Sequence, residues 1–264
     1  MKRYISYAMG IMKGHITRKN IPILVTLCVT NRCNLRCIYC YEEYYERSHR
    51  EFTTEELLSL IDELSEMGTK YISVNGGEAL IRRDIETIVD KIKEKNMLCH
   101  LSTNGLLIKE NIPVLKKIDS LAISIDGARE SNDLNRGKGV YDKVIEAIEC
   151  LNENRIKFHT HTVLTRNNKN AVDEIMSVAL KYGFKAQFSP LRIWDSPDKQ
   201  INLDDNELKE IIKRILTHKK KGFPVFFSRN SYKDTLSWPF PYDKQMILGD
   251  IPKGYRPTKC YIKR

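Results

Sequence analysis

From Ile23 onward the chain repeats one pattern: a short apolar run, then a longer stretch in which apolar residues return every three or four positions. Parallel strands need a crossover between them, so this alternation specifies βα units built on a parallel sheet. The short runs are Ile23–Val29, Tyr71–Asn75, Leu98–Ser102, Leu121–Ile125, Phe158–Leu164 and Phe184–Ser189, which gives six strands. Thr53 and Glu56 form a Thr-x-x-Glu capping box ahead of Leu57, Leu58, Ile61 and Leu64 on one helical face. Tyr141, Val144, Ile145, Ile148 and Leu151 repeat that spacing, and so do Leu208, Ile211, Ile212 and Ile215 behind Asp204 and Glu207. Such helices cover a sheet from outside. Periodicity alone leaves both a doubly wound open sheet and a partial barrel open.

A chain of 264 residues, 41% hydrophobic and 30% charged, is long enough for one large α/β core and is neither a disordered tail nor a disulfide-dense miniprotein. The formal charge of +10 comes from 44 Lys and Arg against 34 Asp and Glu. Lys219–Lys221 follow a helical pattern, and Lys109, Lys116 and Lys117 alternate with apolar residues, so a solvated basic surface is expected and nucleic acid is not the expected partner. No run approaches the roughly 18 apolar residues of a membrane span, and Met1–Asn20 is too polar and basic for a secretory segment; the cytoplasm is the expected compartment. Residues 1–22 read as a basic helical segment whose Ile5, Ala8, Met9 and Met12 form an apolar face expected to pack on the core. Residues 23–222 carry the βα pattern. Across 223–264 the prolines at 224, 239, 241, 252 and 257 predict an irregular extension or the start of a second module.

Three of the seven cysteines, Cys33, Cys37 and Cys40, crowd the loop directly after the first strand. Cys28, Cys99 and Cys150 read as small buried residues. No Gly-rich dinucleotide fingerprint follows that strand, which argues against a Rossmann site. Three soft sulfur ligands on one short loop suit an iron–sulfur cluster or zinc. Zinc in a closed structural site needs a fourth ligand, for which His49 is nearest; a cubane held by three thiolates keeps one iron open to a small molecule.

The other strands end in polar motifs. These are Asn75-Gly76-Gly77-Glu78, Ser102-Thr103-Asn104-Gly105, Ser124-Ile125-Asp126-Gly127 and Thr165-Arg166-Asn167, with Asn135-Arg136-Gly137 after the fourth. Each reads singly as a turn. All of them fall at C-terminal ends of parallel strands, and in a (β/α) barrel those ends form the face where active sites are built. His159 and His161 alternate along the fifth strand and so share one face of it, either lining the barrel or sitting as satisfied core residues.

Cys33-x-x-x-Cys37-x-x-Cys40, with aromatic Tyr39 before the last cysteine, closely resembles the defining loop of radical S-adenosylmethionine (SAM) enzymes, and the resemblance runs from about Ile23 to Pro190. It implies a partial (β/α)6 TIM-like barrel, an α/β fold open on one side, with an irregular C-terminal extension. It implies a [4Fe-4S] cluster on Cys33, Cys37 and Cys40 whose fourth iron chelates SAM, an electron that cleaves the sulfonium, and a 5′-deoxyadenosyl radical that takes hydrogen from the substrate. By the same resemblance Gly76, Gly77 and Glu78 contact the methionine amino group. Ser102, Asn104, Ser124 and Asp126 are placed near the ribose and methionine of SAM, or near substrate in the case of Asp126, and Arg136 near the SAM carboxylate or ribose. Tyr39 and Asn167 match family positions, Asn167 without an assigned role, and no side chain is assigned as a catalytic acid, base or radical quencher. The stretch from Ser231 through Trp238 to Cys260 resembles the run-up to the SPASM or twitch extension, as in a truncated or vestigial module. That points to peptide modification or cofactor maturation, with a peptide or small-molecule substrate and flavodoxin or ferredoxin as electron donor. RNA modification, and in another class a zinc-binding interaction module, are the alternatives.

Overall fold

The computed structural model describes residues 2–17, 21–40, 50–191 and 200–237; His49, Cys260 and the run from Trp238 onward lie outside these. Six strands, β1 (Leu24–Cys28), β2 (Tyr71–Asn75), β3 (Leu98–Thr103), β4 (Ser120–Ser124), β5 (His159–Leu164) and β6 (Lys185–Pro190), form one parallel sheet in the order β1-β2-β3-β4-β5-β6. Strands adjacent in sequence are adjacent in space, and β1 and β6 stand at the two edges, so the sheet is curved but not closed. Boundaries lie within a residue of those expected. Helices α1 (Lys2–Thr17), α2 (Thr54–Glu66), α3 (Ile85–Glu94), α4 (Ile112–Leu115), α5 (Arg129–Arg136), α6 (Val140–Glu153), α7 (Ala171–Tyr182), α8 (Asp205–Lys220) and α9 (Arg229–Leu236), with short 3-10 helices at Ala79–Ile81, Lys109–Asn111 and, after β5, Arg166–Asn168, complete the described elements.

Both expected capping boxes form. Thr53 accepts from the Glu56 amide while Glu56 reaches back to Thr53, and Asp204 and Glu207 do the same for α8. The buried residues of α2 are Leu57, Ile61 and Leu64, the face the spacing marked.

The core lies between the sheet and its helices. Ile72, Val74, Leu101, Ile123 and Ile148 are fully buried there. The opposite, inner face is polar: register and alternation place Thr26, Ser73, His100, Ser120, His161 and Gln187 on it. A closed barrel fills this space with branched apolar side chains. Here ring stacking crosses its floor, with Tyr71 to His100 at 6.2 Å, His100 to His159 at 5.8 Å and His159 to Phe226 at 4.2 Å between centroids. Burial pushes the His159 imidazole down to about 4 and lowers His100 as well, so both rings are neutral at pH 7. The histidines of β5 thus line the barrel, one of the two readings their spacing left open.

Four expectations are corrected. The α1 face of Ile5, Ala8, Met9 and Met12 is exposed; the helix meets the barrel through Tyr7, whose ring lies tilted 5.9 Å from that of Tyr71, and through Gly10, whose missing side chain admits the Lys70 stem. Cys28 is exposed because it projects from the inner face of an edge strand, and Cys150 is half-buried, while Cys99 is buried as expected. The stretch after Lys221 is more regular than its prolines imply. Val225 bridges to Ala186 beside β6, and Ser228 caps α9, which buries Tyr232.

If the core is on the outer side of the sheet, Leu101→Ala should lower unfolding free energy by about 2–5 kcal/mol, whereas Ser73→Ala on the inner face should change it by about 0.5 kcal/mol or less. Denaturant titration of the two variants checks the contrast.

Candidate functional site

The loop after β1 is held from below before it reaches its cysteines. Arg82, 7% exposed, donates to the carbonyls of Val29 and Phe52 at 2.8 and 3.1 Å and pairs with Asp84 at 2.5 Å. That pairing, the largest influence on it, holds the Asp84 carboxyl down to about 2. Glu51 accepts from the Thr30 hydroxyl at 2.5 Å and the Asn31 amide at 3.1 Å.

The Gly76-Gly77 turn after β2 then presses against this loop. The Gly77 amide donates to the Thr30 carbonyl and the Glu78 amide to the Arg32 carbonyl, both at 2.9 Å. A Cβ on Gly77 would stand 2.3 Å from the Arg32 carbonyl oxygen and 3.0 Å from the Cys33 Cβ; one on Gly76 would stand 2.5 Å from the Thr30 oxygen. The two glycines therefore set the position of Cys33.

Glu78 turns inward, 1% exposed, and accepts from the Leu80 amide (3.1 Å), the Thr103 hydroxyl (2.9 Å) and the Asn104 amide (2.7 Å). A carboxylate offers about four acceptor sites, so one is left for a ligand. Burial raises its pKa, and those three donors work against the rise. Asn104 points back at the cysteine loop: its side-chain amide donates to the Asn34 side chain at 2.7 Å and lies 4.0 Å from the Cys33 sulfur.

The far side of the loop is tied to β4 and β5. The Ile38 amide donates to the Asn135 carbonyl at 3.0 Å, and the Tyr39 hydroxyl donates to Asp126 Oδ2 at 2.5 Å. Asp126 has no exposed surface. Its carboxylate meets Arg136 Nε at 2.8 Å and Nη2 at 3.3 Å and accepts from the Val163 amide at 3.0 Å. The Arg136 guanidinium lies 5.7 Å from the centre of the Tyr39 ring. Asp126 and Arg136, expected near SAM or substrate, thus face each other and the cysteine loop, because a fully buried carboxylate needs a partner. Asn167 is exposed. Its neighbour Asn168 is the buried link, donating to the carbonyls of Asp126 and Val163 at 2.7 and 2.8 Å. Sequence reasoning passed over Asn168, although Thr165 three residues before it was the signal: the two form a reciprocal cap.

Ser102 lies 3.1 Å from His100 Nε2, and half-buried Ser124 stands beside His161 in the register, both on the inner wall. A groove of about 540 Å³ lined by Ser120, His159, Lys185 and Phe226 lies at the other end of the strands, away from the cysteines.

The three thiols stand close enough to repel one another as thiolates. Burial raises Cys33 and pushes Cys37 up to about 11, and the charge of Cys40 adds to both. Among the described residues no three His, Cys, Asp or Glu side chains gather tightly enough for one metal ion. Three soft donors on one half-buried loop, with polar strand ends round them, fit a multinuclear iron–sulfur group, whose binding must displace the thiol protons.

A model described as the radical SAM superfamily matches residues 27–179. The chain belongs to that superfamily, whose members are enzymes that use a [4Fe-4S] cluster and SAM. It is 34% identical over 186 residues to the mycofactocin maturase MftC of Mycolicibacterium smegmatis, covering 66% of this chain and 47% of that protein. It is 31% identical over 210 residues to the Fe-coproporphyrin III synthase of Methanosarcina barkeri, covering 75% and 52%. The chain spans about half the length of these curated relatives. Among solved structures, anSMEcpe with bound AdoMet and the Cp18Cys peptide matches with a TM-score of 0.65 at 21% identity, over 76% of this chain and 62% of that one. Streptococcus suis SuiB bound to its precursor peptide SuiA matches with a TM-score of 0.67 at 14% identity, over 88% and 58%. These likenesses bear out the partial barrel. No helix of the described residues is long and apolar enough to cross a membrane.

Gly77→Ala should force the Arg32–Cys33 backbone away, costing about 1–3 kcal/mol and lowering iron retained after anaerobic reconstitution. Gly183→Ala, at a left-handed turn with open space around it, should keep its iron. Iron and sulfide content of the two proteins checks this.

Proposed function

We propose that this chain is the core of a radical SAM enzyme that modifies a peptide or matures a cofactor, with Cys33, Cys37 and Cys40 as the cluster ligands. The observation that carries this reading is the convergence of the strand ends of β2, β3 and β4 on the loop that bears those three thiols, with β5 joined to them through Asp126. When bound, the cluster supplies the electron that splits SAM into methionine and the 5′-deoxyadenosyl radical, which removes hydrogen from the substrate.

The protein's own groups do the holding. Glu78 keeps one acceptor site for the SAM ammonium group, and its three internal donors fix the carboxylate before the ligand arrives. Gly76 and Gly77 bring that carboxylate beside Cys33. Ser102 and Ser124 offer hydroxyls along the inner wall for the ribose and methionine ends. Asn104, Tyr39, Asp126 and Arg136 serve the loop and stand behind the SAM site, and Asn167 sits at its rim. The radical SAM core is assigned to residues 23–222, with 1–22 as a helical segment and 223–264 as the extension.

A substrate reaches the inner face through the gap between β1 and β6, the two edges of the sheet. The inner wall is hydrogen-bonding rather than apolar, which suits a peptide backbone. The similarity to mycofactocin maturase and the fold shared with SuiB support a peptide substrate; the similarity to Fe-coproporphyrin III synthase keeps cofactor maturation within the same reading. Flavodoxin or ferredoxin is the proposed electron donor, and the cytoplasm the proposed compartment.

Anaerobically prepared protein should be brown, and Cys37→Ala should abolish dithionite-driven formation of 5′-deoxyadenosine; undiminished turnover in that variant removes the ligand assignment. Glu78→Gln should weaken SAM binding roughly tenfold, about 1.4 kcal/mol, with iron content intact. Equilibrium binding of SAM to the reconstituted proteins measures it.

A further inference from the structure

Burial is the largest influence on the Cys37 thiol and raises it; after burial come two opposite charges, Arg136 pulling the thiol toward ionisation and Asp126 pushing the other way. Those charges are a buried pair, 5% and 0% exposed, bound at 2.8 and 3.3 Å, and the Tyr39 hydroxyl joins the same carboxylate at 2.5 Å from a position between Cys37 and Cys40. Asp126 is further held by the Val163 amide, so neither partner of the pair can swing out to solvent. An iron–sulfur cluster gains one negative charge on reduction, and its potential follows the net charge around it.

We infer that the Arg136–Asp126 pair is a built-in charge balance that keeps either buried charge from displacing the reduction potential of the cluster, with Tyr39 as the link that ties the pair to the cysteine loop. Each partner alone would bias the cluster strongly in this dry setting. Asp126 unpaired favours the oxidised state and lowers the potential. Arg136 unpaired favours the reduced state and raises it. Together they cancel, and the buried carboxylate is kept without a net charge being added beside a cluster that must still accept an electron. This rests on the reading that Cys33, Cys37 and Cys40 hold the cluster. Both residues act through their charge and not on substrate, so they are positioning and tuning residues.

The test is an anaerobic dithionite titration of the reconstituted full chain, followed by electron paramagnetic resonance, for the wild type and four variants. Arg136→Gln should shift the midpoint down and Asp126→Asn should shift it up. Arg136→Lys, which keeps the charge, should stay nearer the wild type than Arg136→Gln does. The double variant Arg136→Gln/Asp126→Asn, uncharged on both sides, should return toward the wild-type midpoint, which damage to the fold cannot do. Midpoints that do not move, or that move the same way in both single variants, overturn the charge balance while leaving the cluster reading intact. If Asp126→Asn does not fold, an Arg136→Gln midpoint equal to that of Arg136→Lys overturns it alone. A wild-type protein that takes up no cluster removes the underlying reading, and the inference with it.

Discussion

A carboxylate with no exposed surface cannot stay ionised without compensation, and the Asp126–Arg136 pair is the point on which the active face of this protein is organised. Asp126 lies just past the end of β4, Arg136 ends α5, Val163 lies on β5 and Tyr39 on the cysteine loop. One carboxylate thus fastens four parts of the chain, two of them, Tyr39 and Val163, distant from it in sequence. Losing either partner leaves a buried charge alone, so the cost falls on the loop as well as on the pair.

The opposite side of the loop is fixed by close approach rather than by charge. Gly76 and Gly77 leave room for the carbonyls of Thr30 and Arg32, and Glu78 reaches past them to the end of β3. Arg82 and Glu51 close the base. A loop of this length would otherwise keep considerable freedom, and ordering it is an entropic cost that grows with each residue fixed. The fold meets that cost, so the backbone that carries the thiols is fixed by its own neighbours.

Much of this was legible in the sequence where the signal is local. Thr53 with Glu56 and Asp204 with Glu207 announce helix starts through short-range hydrogen bonds, and the six strands follow from runs that must be buried on the helix side. The spacing of the three cysteines is likewise a local signal. What escaped depends on long-range partners. Asp126 reads as a turn residue or a ligand until Arg136 is brought against it, and Asn168 outranks Asn167 only because of how the short helix after β5 is wound. The apolar stripe on α1 misled for a related reason: periodicity identifies a face, and Gly10 on another side determines which face docks.

The sheet keeps its stability and its chemistry on different sides. Leu101 and Ile123 carry the packing on the helix side, while Ser102, Ser124 and His161 look into the concavity. Mutations in the hollow can therefore accumulate at low energetic risk. A lineage built on this scaffold can retool what it accepts, residue by residue, without first having to rescue its own folding.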